Sequence, residues 1–87
     1  MDDWVVYLVE CSDGSLYCGV SNNIEKRLAT HNAGKGAKYT RSRLPVVLQV
    51  VAGAMSRSAA LKLEYQVKQQ RKNEKVKYLR QFCRKEE

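Results

Sequence analysis

The stretch Val5 to His31 reads VVYLVECSDGSLYCGVSNNIEKRLATH and holds the pattern of a hairpin followed by a helix. The run from Trp4 to Cys11 is almost wholly apolar and rich in β-branched and aromatic residues. Such a run is a strand covered on both faces, hence a central one. Ser12-Asp13-Gly14 is turn chemistry, and Leu16 to Ser21 is the returning strand. Turn length sets what the two tyrosines can do together. A two-residue Asp13-Gly14 loop pairs Ser12 with Ser15, puts Tyr7 opposite Val20 and sends Tyr17 to the other face. A three-residue loop with Gly14 left-handed pairs Cys11 with Ser15. Tyr7 then faces Gly19, Val9 faces Tyr17, and all four share one face. The residues by themselves leave both registers open.

After the hairpin, Asn22 with Glu25 three residues on reads as a capping box that starts a helix. The helix runs to about Asn32 and stops at Gly34. At 3.6 residues per turn Ile24, Arg27, Leu28 and His31 fall on one arc. An arginine beside an apolar stripe needs an acceptor, from the protein or from a ligand. The competing reading is a snorkelling arginine and a core histidine satisfied by its neighbours. Next comes an irregular loop, GKGAKYTRSR over Gly34 to Arg43, with Lys35, Lys38, Arg41, Arg43 and Tyr39 and no acid. Its cations and its one aromatic suit phosphate contact, although a charge run also serves simply as a solvated face.

Val46 to Ala52 is the third strand, with Pro45 before it and Gly53 ending it. Ser56 or Ser58 caps a helix to about Gln70. Its apolar arc holds Ala60, Leu63 and Val67, and Glu64 lies inside that arc, where a glutamate is unusual. A salt bridge to Lys68 at i+4 is the structural explanation for it. A last helix spans roughly Asn73 to Arg84, with Val76, Leu79 and Cys83 as its stripe and its cations on a solvated face. The expected architecture is one α+β domain over 1–87. It has a three-stranded, mainly antiparallel sheet flanked by about three helices, in the order ββαβαα.

The formal net charge of +7 points to a polyanion, nucleic acid before a membrane surface. No apolar run reaches the length of a membrane span, and the beginning MDDW is not the basic start expected of a secretion signal. Three cysteines without C-x-x-C spacing argue against zinc and a disulfide framework, and suggest reduced thiols in the cytoplasm. His31 is the only histidine, and no buried carboxylate to orient it is evident, so a Ser-His-Asp triad is excluded. Paired carboxylates for glycoside hydrolysis are missing, and GKGAK has the wrong spacing for a nucleotide-binding loop. The inward polar set Tyr7, Tyr17, Arg27, His31 and Glu64 suits phosphodiester cleavage. A carboxylate holds Mg²⁺, an arginine stabilises phosphate charge, and a tyrosine or histidine moves a proton.

At these residues the chain resembles the GIY-YIG nuclease family, and most of all its small single-domain bacterial members. Val5-Val6-Tyr7 stands for the first tripeptide and Tyr17-Cys18-Gly19 for the second. Arg27, His31 and the helical Glu64 complete the ordered set, over about Trp4 to Leu79. The resemblance implies hydrolysis of a DNA strand with a single Mg²⁺ or Mn²⁺ on Glu64. It also implies Arg27 at the scissile phosphate, Tyr7 or Tyr17 at the water, His31 assisting, and Gly19 making room. It picks the three-residue register, and the Glu64 helix is expected on the same sheet face as the tyrosines. The first tripeptide lacks the family's glycine and isoleucine. Asn73 is the only candidate for a further family asparagine. DNA is favoured over RNA on the resemblance alone. The chain carries none of the extra recognition domains of larger relatives, so sequence specificity would need a protein partner or a weak homodimer. A non-catalytic nucleic-acid-binding module or an adaptor is the alternative.

Overall fold

The structure is a computed structural model that describes residues 2–83. The chain folds as β1 (Trp4–Glu10), β2 (Leu16–Ser21), α1 (Ile24–Asn32), α2 (Lys38–Arg41), β3 (Val47–Met55), α3 (Arg57–Lys68) and α4 (Lys72–Arg80). The sheet order is β2-β1-β3, both pairings are antiparallel, and β1 is central as its apolar run implies. The expected α+β order therefore holds, with one added short helix.

The hairpin uses the three-residue turn. The Cys11 amide donates to the Ser15 carbonyl at 2.8 Å, and Gly14 takes a left-handed φ of 84°. Asp13 fastens the turn by accepting from the Ser15 amide and hydroxyl. The resulting register pairs Tyr7 with Gly19 and Val9 with Tyr17.

Alternation along β1 sorts the core into two layers. Val6 and Leu8 point to one side and pack with Cys18, Val50, Ala52, Ala60, Leu63, Val67 and Leu79, which brings in α3 and α4. Tyr7 and Val9 point to the other side, with Tyr17, Ile24, Leu28 and Val46, which brings in α1. The α3 helix thus lies on the face opposite the tyrosines, which corrects the expectation of a shared face. The physical reason is its stripe: Ala60, Leu63 and Val67 pack on the branched side chains of Val6 and Leu8, which point to that face.

Several boundaries also move. Asn23, not Asn22, caps α1 by accepting from the Lys26 amide at 3.1 Å. Ser56 caps α3 through the Ala59 amide. The strand β3 does not stop at Gly53 but runs through it to Met55, and glycine is what allows this close passage, since a side chain there would collide with Val5 and the Trp4 carbonyl. Asn32 pins the start of β3, donating to the Val46 carbonyl and accepting from its amide. Helix α4 ends at Arg80, and a turn follows through Cys83. Arg84, the expected helix end, lies outside the described residues.

Leu79 is fully buried and carries α4 into the larger layer. Leu79→Ala is expected to lower unfolding free energy by about 2–5 kcal/mol in urea denaturation. A loss below about 1 kcal/mol would show that α4 is not part of this core.

Candidate active site

Four of the residues singled out from the sequence meet on the α1 face. Tyr7 comes from the central strand, Tyr17 from β2, and Arg27 and His31 from successive turns of α1. Tyr7 and His31 are almost completely buried at 1% and 0% exposure. The phenol of Tyr7 lies 2.9 Å from His31 Nε2, and His31 Nδ1 lies 2.9 Å from the Thr40 hydroxyl. Thr40 donates its own proton to the Ala37 carbonyl at 2.9 Å. That assignment fixes the rest of the chain of hydrogen bonds. The Thr40 oxygen accepts from His31 Nδ1–H, so Nε2 is the free lone pair that accepts the phenol proton. Arg27 Nε donates to the same phenol oxygen at 3.4 Å. The Tyr7 oxygen thus sits between a guanidinium and a neutral imidazole.

Electrostatics agree with this protonation. Burial raises the Tyr7 pKa, opposed by its hydrogen bond from Arg27 and that residue's charge. Burial lowers the His31 pKa, and the Arg27 charge lowers it further. The Arg27 pKa rises, chiefly through its bond to Tyr7. Gly19 is needed for close approach, since a Cβ at that position would lie 2.5 Å from the Tyr7 oxygen. Tyr17 packs edge-on against His31 with centroids 5.5 Å apart.

The segment Gly34–Arg43, expected to be irregular, contains α2 and acts as the back wall of the site. Gly36 is buried where any Cβ would overlap His31, and Thr40 is fully buried. Tyr39 stacks on Tyr17 with centroids 6.0 Å apart and planes 20° apart. Arg43 lies 4.0 Å over the Tyr39 ring, bridges to Asp13 at 3.0 Å and donates to the Tyr39 carbonyl. Arg41 donates to the Gly36 carbonyl at 3.2 Å. These two arginines therefore brace the loop, whereas Lys35 and Lys38 stand exposed. Thr40 was missed by the sequence reading. Its hydroxyl is hidden among cations, and nothing in a run of KYTR marks the threonine as the one that turns inward.

Glu64 stands apart from this relay, on α3. Its side chain is 19% exposed and its carboxylate bonds Lys68 at 3.2 Å, the i+4 pair expected from spacing. The Cys18 thiol is pushed up to about 12, first by burial and then by the nearby Glu64 charge. The two sides of the sheet meet at the outer edge of β2. There a hollow of about 380 Å³ is lined by Leu16, Tyr17, Cys18, Tyr39, Lys68 and Lys75. It joins a tyrosine that touches His31 to the lysine that touches Glu64. Asn73 is exposed on the first turn of α4 and enters none of these contacts. Among the described residues no three His, Cys, Asp or Glu side chains cluster as a ready metal cage, and the cysteines are free. No described helix is long and apolar enough to cross a membrane.

Comparison with known proteins places the arrangement. The GIY-YIG catalytic domain matches residues 3–78. A UPF0213 protein of Bacillus cereus is 53% identical over 73 residues, 84% of this chain and 76% of that protein. One of Staphylococcus haemolyticus is 50% identical over 85% of this chain and 90% of its own length. The solution structure of a UPF0213 protein from Bacillus halodurans is 37% identical with a TM-score of 0.55, covering 90% of this chain and 83% of the other. A second solution structure, from E. faecalis, is 39% identical with a TM-score of 0.61 over the same shares.

Acid is expected to destabilise this site. Folded His31 has a pKa below its unfolded value near 6.5, so between the two the unfolded chain binds more protons and stability rises with pH. The melting temperature should fall on going from about pH 7.5 to about pH 5.5, and much less so in His31→Gln. A wild-type melting temperature that is flat across that window would contradict the neutral, buried imidazole.

Proposed function

Because the chain belongs to the GIY-YIG catalytic-domain family, we propose that it is a cytoplasmic, divalent-metal-dependent endonuclease that hydrolyses phosphodiester bonds of DNA, directed by structure or lesion rather than by sequence. One observation carries the reading: a phenol oxygen held between the Arg27 guanidinium and a neutral His31 acceptor. A surface phenol with an ordinary solvated partner would have no such proton outlet.

The chemistry follows from those contacts. Water attacks phosphorus and loses a proton to the Tyr7 oxygen as the phenol proton moves to His31 Nε2. The bond from phosphorus to the leaving oxygen breaks, and that oxygen takes its proton from solvent. Arg27 stabilises the charge that builds on phosphate and on the phenol oxygen. Thr40 holds the imidazole in the accepting tautomer and receives a bond that strengthens as the ring becomes charged. Tyr17 lacks such an acceptor and serves as a wall, which favours Tyr7 over Tyr17 for water activation.

Glu64 is the residue that would hold a single Mg²⁺ or Mn²⁺. One largely buried carboxylate whose present partner is itself a cation fits a hard ion that keeps several waters and takes phosphate oxygens as its other ligands. Bound there, the ion would neutralise phosphate charge. Low sequence specificity follows from the side chains on offer: cations and tyrosine rings meet phosphates and base faces, which every sequence shares. A protein partner or a weak homodimer would lengthen this short surface.

The test is incubation with branched, nicked and single-stranded DNA and RNA in Mg²⁺ or Mn²⁺, beside Glu64→Gln and Arg27→Ala. Wild-type protein is expected to cut DNA, with each substitution slowing it by about 10²-fold or more. Tight binding without cleavage of any substrate would favour the non-catalytic module or adaptor. Equal cutting of RNA would remove the DNA preference.

A further inference from the structure

Resting on the nuclease reading, we propose that the hollow at the outer edge of β2 seats one unstacked nucleotide next to the scissile phosphate. Its substrate then presents a single-stranded or frayed segment there. The hollow is assembled from four elements: Leu16, Tyr17 and Cys18 of β2, Tyr39 of α2, Lys68 of α3 and Lys75 of α4. Its chemistry is divided as a nucleotide is divided. Two ammonium groups suit phosphate, while a leucine, a thiol and the free edges of two rings suit the apolar face of a base. A base inside a paired stack would keep its faces covered and leave that apolar lining unused, so the lining favours an unpaired one.

Position ties the hollow to the reaction. Tyr17 touches His31, and Lys68 bonds Glu64, so a nucleotide held here lies between the relay and the carboxylate. The aromatic wall is already rigid, because Tyr39 is clamped by Tyr17 and Arg43 while 38% of its surface stays open. Lys75 is half-buried where its neighbours Lys72 and Lys77 are exposed. It is therefore not an ordinary member of the solvated α4 face to which sequence spacing assigns it. Lys75 becomes a nucleic-acid-binding residue, and Lys68 has a second task beside its pairing with Glu64.

Fluorescence anisotropy with labelled oligothymidylate and oligouridylate, in chelator and so without cleavage, tests this. The two arms separate DNA from RNA as the source of the nucleotide. Lys75→Gln should weaken binding several-fold in the arm that binds and flatten the salt dependence by about 0.7 in slope, the share of one phosphate contact on a single strand. Lys62→Gln removes an equal charge from α3 at a residue that does not line this hollow, and should leave both quantities unchanged. Equal weakening by the two variants, or none by Lys75→Gln, would overturn the assignment while wild-type cleavage of branched DNA keeps the nuclease reading. Failure of wild-type protein to bind either strand would overturn the assignment too. Absence of cleavage in the separate assay is what removes the catalytic reading.

Discussion

The structure depends on the pairing of Cys11 with Ser15 across a three-residue turn. A slip of one residue would turn Tyr17 out of the α1 face and put Val20 in place of Gly19 opposite Tyr7. The phenol would then meet a side chain where it now meets a bare backbone. Asp13 holds the register from two directions, through Ser15 inside the turn and through Arg43 from the end of the α2 loop. The same Arg43 lies on Tyr39, which lies on Tyr17. The turn, the loop and the tyrosine wall are therefore one mechanical unit.

Inside that unit the hydrogen bonds run in one direction. Arg27 donates to Tyr7, Tyr7 to His31, His31 to Thr40, and Thr40 to the Ala37 carbonyl. Each buried polar group has its partner, and no buried side-chain nitrogen or oxygen among the described residues lacks one. Burial keeps the imidazole neutral, and the adjacent guanidinium favours negative charge on the phenol. These opposing pressures suit a proton carrier that rests uncharged and charges only during a reaction.

Much of this was legible in the sequence. Apolar runs marked the three strands, and the inward arc of α1 marked Arg27 and His31. The odd place of Glu64 within an apolar stripe marked it as well. What stayed hidden was set by long-range contacts. The turn Ser12-Asp13-Gly14 admits two lengths, and only packing chooses between them. The four residues of α2 are too few to show a period, so Thr40 passed for part of a charge run. Helical spacing tells which arc Glu64 shares but not which face of the sheet that arc covers. The α3 helix lies across the sheet from Tyr7, and the two halves converge only at the edge of β2. Gly53, read as a strand end, instead lets β3 pass close beside β1.

In the proposed mechanism the Tyr7 phenol, with its proton directed at His31, activates water. This step is tested most directly by single-turnover cleavage of branched DNA in Mg²⁺ by Tyr7→Phe, alongside its melting temperature and its DNA affinity. The phenyl ring fills the same space, so fold and binding should be kept, with a lower melting temperature from the lost buried hydrogen bond to His31, while the cleavage rate falls by about 10²–10⁴-fold. A Tyr7→Phe protein that folds, binds and cuts at the wild-type rate would contradict water activation by the phenol.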